Sequence, residues 1–236
     1  MPPFLGEWGR VSIRAVCLDV DDTLVDFGGA ARAALTHVLG PTADATLWNE
    51  LTEHHYGRYL TGEVDFATMQ LDRLAGMYTA SGRTVPADLV EVDATRLVEL
   101  RARLRLFGDV RDCLDALRAD GLALAVVSNS DGPHQRAKLV AAGLAGAFDA
   151  VVVSGEVGVA KPAPAIFLRA CAVLGVLPAE AAHVGDKLDT DARGARDAGL
   201  HGVWLDRAGV GGALPEGVHR VRGLAEVAGL VRGLGC

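Results

Sequence analysis

The sequence predicts an α/β protein: a doubly wound parallel sheet into which an all-helical module is inserted. Three observations predict it. Apolar runs too short for helices recur along the chain, patterns with apolar residues every three or four positions alternate with them, and one long stretch contains no such run at all. Strands alternating with helices form βαβ units, which build a parallel sheet with right-handed crossovers.

In order, residues 14–20 (RAVCLDV) form an apolar run that ends in acidic residues, suited to a strand buried on both faces. Residues 27–107 show helical patterns only, such as Leu47, Leu51, Tyr59 and then Val64, Ala67, Leu71, Leu74, Tyr78. This stretch is the inserted helical cap, with residues 1–26 and 108–236 as the α/β core. Its aromatics Phe27, Trp48, Tyr56, Tyr59, Phe66 and Tyr78 are expected to form a small core of their own. Beyond the insertion, helices are predicted over 110–119, 133–142, 163–174 and 190–198, and Gly121, Gly143, Gly175 and Gly199 follow them as a helix C-terminus prefers. Strands are predicted at 122–128 (LALAVVS), 150–154 (AVVVS), 182–185 (AHVG) and 202–205 (GVWL). The Gly-rich tail after residue 208 is expected to hold one short helix near 224–231.

Composition narrows the function. With 236 residues, half of them hydrophobic and 22% charged, the chain can bury a substantial core, so disordered and fibrous classes do not fit. A net charge of −7 repels a phosphate backbone, and the arginines are scattered, so no nucleic-acid partner is expected. No apolar run approaches the ~20 residues of a membrane span, and the opening MPPFLGEWGR lacks a basic flank before an apolar core. A cytoplasmic chain without a membrane partner is expected. Cys17, Cys113, Cys171 and Cys236 show no CxxC spacing and suit buried, reduced thiols. Lysine is scarce beside arginine, occurring only as Lys138, Lys161 and Lys187.

In an open parallel sheet, ligands bind outside the carboxyl ends of the strands. Four such ends carry chemistry. After the first strand come Asp19, Asp21 and Thr23, and strand alternation points both carboxylates to one side, where like charges are unfavourable without a cation or a shared proton. The second strand ends in Ser128-Asn129-Ser130, a hydroxyl and a turn backbone able to donate to an anion. Lys161, stiffened by Pro162 and Pro164, offers an ammonium to phosphate. Gly185-Asp186-Lys187-Leu188-Asp189-Thr190-Asp191 gathers carboxylates where a strand turns into a helix, a donor set suited to Mg²⁺.

These four motifs, in this order, resemble those of the haloacid dehalogenase (HAD) superfamily, most closely its branch with a helical cap inserted after the first motif. Asp19, Asp21 and Thr23 match its Asp-x-Asp-x-Thr motif, Ser128 its Ser/Thr motif, Lys161 its lysine motif, and Gly185, Asp186 and Asp191 its Gly-Asp-x4-Asp motif. Asp22 stands where glycine is common, and Lys187 where a small polar residue is frequent. The resemblance implies a Rossmann-like core and a Mg²⁺-dependent phosphatase acting on small soluble phosphomonoesters through an aspartyl-phosphate. It implies Asp19 as nucleophile and Asp21 as acid and base, with the metal held by Asp19, Asp186 and the backbone carbonyl of Asp21. By the same resemblance Thr23, Ser128, Asn129 and Lys161 bind the substrate phosphate, and Asp191 orients Lys161 or metal-bound water. A phosphomutase shares every one of these motifs. A 2-haloacid dehalogenase uses the same nucleophile but lacks an acid/base residue at the position of Asp21, and a regulatory protein could retain the fold without turnover. Substrate-selecting residues remain open among His37, His54, His55, Arg58 and Tyr59 of the insertion.

Overall fold

The computed structural model describes residues 12–234. Strand β1 (Ala15–Leu18) is followed by helices α1 (Phe27–Leu39), α2 (Ala45–Leu60), α3 (Phe66–Ala80) and α4 (Leu89–Arg103), with no named strand among them. The chain continues through α5 (Val110–Ala119), β2 (Ala123–Ser128), α6 (Gly132–Ala141), β3 (Ala150–Val153), a single turn α7 (Ser154–Val157) and α8 (Pro164–Leu174). It ends with β4 (Ala181–Gly185), a π-helical turn over Leu188–Arg193 that runs into α9 (Gly194–Asp197), then β5 (His201–Leu205), β6 (Val218–Val221) and α10 (Val227–Leu234).

All six strands are parallel, in the order β3-β2-β1-β4-β5-β6. The chain builds outward from β1 through β2 to β3, then returns to the other side of β1 with β4, so the order reverses between β1 and β4. Such a reversal opens a crevice at the carboxyl ends of the two central strands. Alternate residues of each strand feed opposite faces, as the two-residue period requires. On β1, Val16 and Leu18 join one apolar cluster with Leu124, Val126 and Val184, while Ala15 and Cys17 join a second with Val127, Ile166 and Phe167. Fully buried Phe167 contributes about 1.5–3 kcal/mol through burial.

Aspartates start the helices. The side chains of Asp26, Asp44, Asp65 and Asp131 accept from backbone N–H groups in the first turns of α1, α2, α3 and α6, satisfying donors that have no partner inside the helix. Helices α1 and α4 bracket the insertion and pack on the sheet: Ala30, Ala31, Ala34, Leu100 and Leu104 belong to the same cluster as Val16 and Leu18. Further out, Leu35, Trp48, Leu74, Met77 and Tyr78 form a separate cluster. The expected aromatic core therefore holds for Trp48 and Tyr78 but not for the other four. Phe27 packs on the sheet cluster, and Tyr56, Tyr59 and Phe66 stack in a row that reaches His134 on α6, with ring centroids 5.0–5.6 Å apart.

Strand β6 was not expected from the sequence. Only two of its four residues are buried, and it exists by pairing with β5 at the sheet edge. The expected helix over 190–198 is instead the π turn plus α9. Cys17, Cys113 and Cys171 are free and buried as expected, and Cys236 lies outside the described residues. Among the described residues, no helix is long and apolar enough to cross a membrane.

Candidate active site

The site begins where β1 ends. Asp19 is 8% exposed, and its backbone N–H donates to Val184 O at 2.9 Å, carrying the β1–β4 pairing one residue past the strand. Asp22 has φ of +58°, the left-handed region that glycine enters freely and aspartate more readily than most side chains. Its carboxylate accepts from Gly28 N at 2.8 Å, which ties this turn to the start of α1. Local bonding thus compensates for aspartate at a position where the backbone suits glycine.

Lys161 is the hub. The residue is 5% exposed, and its ammonium donates to Asp19 Oδ1 at 2.7 Å, Asp191 Oδ1 at 2.6 Å and Val127 O at 2.9 Å, so all three of its protons are used. The loop that presents it is clamped by Asn129, whose Oδ1 accepts from Lys161 N at 2.7 Å and whose Nδ2 donates to Lys161 O at 2.9 Å. The Lys161–Pro162 peptide is cis. Asp191 also accepts from Lys187 N at 3.0 Å and pairs with His183 Nε2 at 3.2 Å. Gly185 makes room for this: a Cβ there would overlap the Asp191 carboxyl group.

Asp21 points elsewhere. Both of its oxygens accept from Lys138 Nζ, at 2.6 and 2.5 Å, and Lys138 is itself buried on α6. Thr23 departs from the phosphate-binding role expected of it. It is fully buried, does not line the cavity, and accepts at Oγ1 from Asp186 N at 3.1 Å, so it joins the β1 loop to the β4 loop. Its side chain is committed to holding Asp186 in place and is out of reach of a ligand.

Burial and like charge dominate the electrostatics. Desolvation pushes the Asp19 carboxyl up to about 6 against the pull of Lys161, with Asp191 and Asp21 adding repulsion. Asp186 is pushed up to about 8 by desolvation and then by Asp19, Asp191 and Asp22. Asp191 is held low by Lys161 and His183 despite its own burial, and Lys161 is held high by Asp19 and Asp191 despite its own. Asp19, Asp186 and Asp191 each offer a carboxylate oxygen within 4.8 Å of the others. Asp186 uses only its backbone on its neighbours, donating to Thr23 and accepting from Trp204 Nε1, and among the described residues no donor reaches its carboxylate. An oxygen-only donor set with more carboxylates than ammonium groups fits a hard divalent cation.

Above these groups lies a cavity of about 480 Å³ that Asp19, Asp21, Ser128, Asn129, Lys138, Lys161, Asp186 and Asp191 line from the sheet side. The insertion closes it with Trp48, Thr52, Tyr56, Phe66, Gln70, Arg73 and Arg96 among others. None of His37, His54, His55, Arg58 and Tyr59 lines it. Tyr56 and Tyr59 tether the two halves, their hydroxyls donating to Asn129 O and Ser130 O. Lys138, His183, Arg73 and Arg96 are the residues that sequence reasoning missed. One signal for Lys138 was available, since two of the chain's few lysines already fell within motif loops.

The chain matches the haloacid dehalogenase-like hydrolase family model over residues 13–199. Over 107 residues it is 49% identical to a phosphoserine phosphatase of Thermus thermophilus, covering 45% of this chain and 43% of that protein. Over 220 residues it is 32% identical to a human N-acylneuraminate-9-phosphatase, covering 86% of each. Among solved structures, the HAD-hydrolase YfnB of Bacillus subtilis, bound to magnesium, superposes with a TM-score of 0.79 at 21% identity, covering 93% of this chain and 99% of that one. An L-2-haloacid dehalogenase of Xanthobacter autotrophicus does so with 0.74 at 25% identity, covering 94% and 99%. With the strand-end motifs gathered around one cavity and near-full-length phosphatase relatives, the chain belongs to the haloacid dehalogenase-like hydrolases, in their phosphatase branch.

Proposed function

We propose that this phosphatase hydrolyses small soluble phosphomonoesters with Mg²⁺, through a covalent aspartyl-phosphate on Asp19. One observation carries the reading: Asp19, Asp186 and Asp191 bring carboxylate oxygens within 4.8 Å of one another, beside the buried Lys161, at the floor of the cavity. Asp19, Asp186 and the backbone carbonyl of Asp21 would hold the metal, which lets an anionic carboxylate approach an anionic phosphate by screening both.

Asp19 attacks phosphorus, which divides one difficult hydrolysis into two displacements. Lys161 holds one Asp19 oxygen, which fixes the attacking face and places an ammonium beside the charge that gathers on the equatorial oxygens. Ser128 and the backbone N–H of Asn129 donate to those oxygens. Asp191 orients Lys161 and is itself fixed by His183 and the Lys187 N–H. Asp21 protonates the leaving oxygen and then takes a proton from the attacking water. For this, one Asp21 oxygen has to exchange Lys138 for a proton, and an arriving phosphate dianion offers Lys138 another partner. The cavity's walls set the size limit: a small ester fits, a folded phosphoprotein does not.

The test is turnover of p-nitrophenyl phosphate and a panel of phosphorylated metabolites, with Mg²⁺ and with excess EDTA, by the native chain and by Asp19→Asn. The native chain is expected to need the metal and the variant to be inactive while melting normally. Release of chloride from 2-chloropropionate in EDTA, without phosphatase activity, would replace this reading with the dehalogenase one.

A further inference from the structure

Among the described residues, the roof of the cavity carries a buried guanidinium that forms no ion pair. Arg73 on α3 and Arg96 on α4 both line it, and both are buried, at 7% and 2% exposure. Arg96 has its counter-ion: Asp93, also buried, accepts from its Nε at 2.8 Å, and Asp93 Oδ1 lies 2.7 Å from its Nη2. Among the described residues, Arg73 has only neutral hydrogen-bond partners. Its Nη2 donates to Gln70 Oε1, which also accepts from Arg96, its Nη1 donates to Thr52 Oγ1 at 3.3 Å, and its guanidinium lies 4.1 Å over the Trp48 ring. Nε of Arg73 is buried, with no hydrogen-bond partner among the described residues. Buried charges are ordinarily paired, because losing water without gaining a counter-ion is costly.

We propose that Arg73 is a specificity subsite for a carboxylate on the substrate, so that the preferred substrates are small phosphomonoesters that carry a carboxylate apart from the phosphate. The assignment rests on the phosphomonoesterase reading above and adds to it the class of acid that the cavity selects. Charge balance picks a carboxylate over a second phosphate. With Arg96 neutralised by Asp93, Arg73 is the one buried charge left in the roof, since Arg32 and Glu53 at its rim are exposed to solvent; a carboxylate cancels that charge and a phosphate dianion would overrun it. Geometry agrees, since a guanidinium fork matches the two oxygens of a carboxylate and Arg73, which lines the cavity, has one N–H on each of Nη1 and Nη2 beyond those given to Thr52 and Gln70. Neighbouring groups register the same field. The Arg73 guanidinium is pushed down to about 9 by desolvation and by Arg96, and His134 on the same cavity is pushed down to about 2 by desolvation, then Lys138, Arg101, Arg96 and Arg73. A carboxylate entering beside Arg73 relieves that repulsion.

Matched esters that differ only by carboxylate against alcohol test this: 3-phosphoglycerate with glycerol 3-phosphate, and 6-phosphogluconate with glucitol 6-phosphate. In the native chain kcat/KM is expected to favour the acid by tenfold or more in at least one pair. Arg73→Gln is expected to lower that acid-over-alcohol ratio about 10- to 100-fold, mainly through KM, as loss of a charged hydrogen-bonding group implies. If Arg73→Gln does not fold, Arg73→Lys keeps the charge without the fork and is expected to lower the ratio severalfold. A native chain indifferent to the carboxylate in both pairs would overturn the proposal, as would an Arg73 variant that folds and loses acid and alcohol substrates in equal proportion. Hydrolysis of p-nitrophenyl phosphate separates the two levels. If it is absent, the phosphomonoesterase reading fails; if it is present without an acid preference, only the subsite fails.

Discussion

Replacing Lys161 by Met keeps the aliphatic stem and removes the ammonium on which the site is built. Three largely buried acceptors then lose their donor: Asp19 Oδ1, Asp191 Oδ1 and Val127 O. Breaking a buried ion pair from one side costs about 3–5 kcal/mol. For a chain of this length that corresponds to a loss of about 6 to 20 °C in melting temperature. The pH dependence follows from the two directions. Lys161 is held above its ordinary 10.5, so its contribution is complete below that value and is lost as pH rises through the folded value. Asp191 is held below its ordinary 3.8, so its contribution is complete above that value and is lost as pH falls through the folded one. The pair therefore stabilises the fold between about pH 4 and 10, and the variant's deficit is largest near neutrality and shrinks towards pH 4 as the unpaired carboxylates take up protons. Scanning calorimetry of both chains in metal-free buffer across that range is the assay. A variant that melts within about 2 °C of the native chain at neutral pH would show that Lys161 does not hold the cluster together.

Protons and a divalent cation should compete for Asp186 and Asp19. Both are raised, so the metal-free fold binds their protons more tightly than the unfolded chain does, and its stability falls as pH rises from their ordinary 3.8 towards about 8. Mg²⁺ at a hundredfold excess over its Kd adds about 2.7 kcal/mol, or about 5 to 11 °C, and the gain should be larger near pH 8 than near pH 5.5. An equal gain at both would detach the metal from these carboxylates. Thr23→Val preserves shape but strands the Asp186 N–H, and should lower stability in urea by about 1–3 kcal/mol with an unchanged m value. An unmoved midpoint would mean that the Thr23 tether is dispensable. Asp21→Asn should slow esters with poor leaving groups more than aryl phosphates, which depart without a proton, and equal losses would remove the acid role.

Much of the sheet was legible because strands buried on both faces write themselves as apolar runs, and β1 to β3 do so, while β4 and β5 carry one histidine each, His183 and His201, within short apolar segments. Strand β6, Val-His-Arg-Val, does not, because it is half exposed and pairs on one side only. The floor of the site was legible for a related reason: its residues follow strands directly, so position along the chain fixes position in space. Thr23 sits in the same motif as Asp19 and Asp21 yet turns inward, and nothing in the residue type announces which way a hydroxyl will face. Lys138 belongs to a helix whose His134, Gln135 and Lys138 are buried beside Leu139, so a polar stripe that reads as a solvated face packs inward.

The roof was illegible because its local pairs, Arg73 with Gln70 and Arg96 with Asp93, become a buried site only through contacts between distant segments. Arg73 and Arg96 read as ordinary surface arginines on amphipathic helices until α2, α3 and α4 bring Trp48, Gln70 and Asp93 around them. The same separation explains how phosphatase relatives and a dehalogenase neighbour can share this fold. Strand ends hold the reacting groups at positions fixed by sheet register, whereas the insertion touches the ligand through side chains that can change without disturbing β1 or β4. Selectivity in such an arrangement follows from which charges the roof leaves unbalanced, and here the floor carries an excess of carboxylates while the roof carries one guanidinium too many. A ligand with a phosphate at one end and a carboxylate at the other meets the cationic roof directly, and meets the floor once Lys161 and a divalent cation offset its carboxylates.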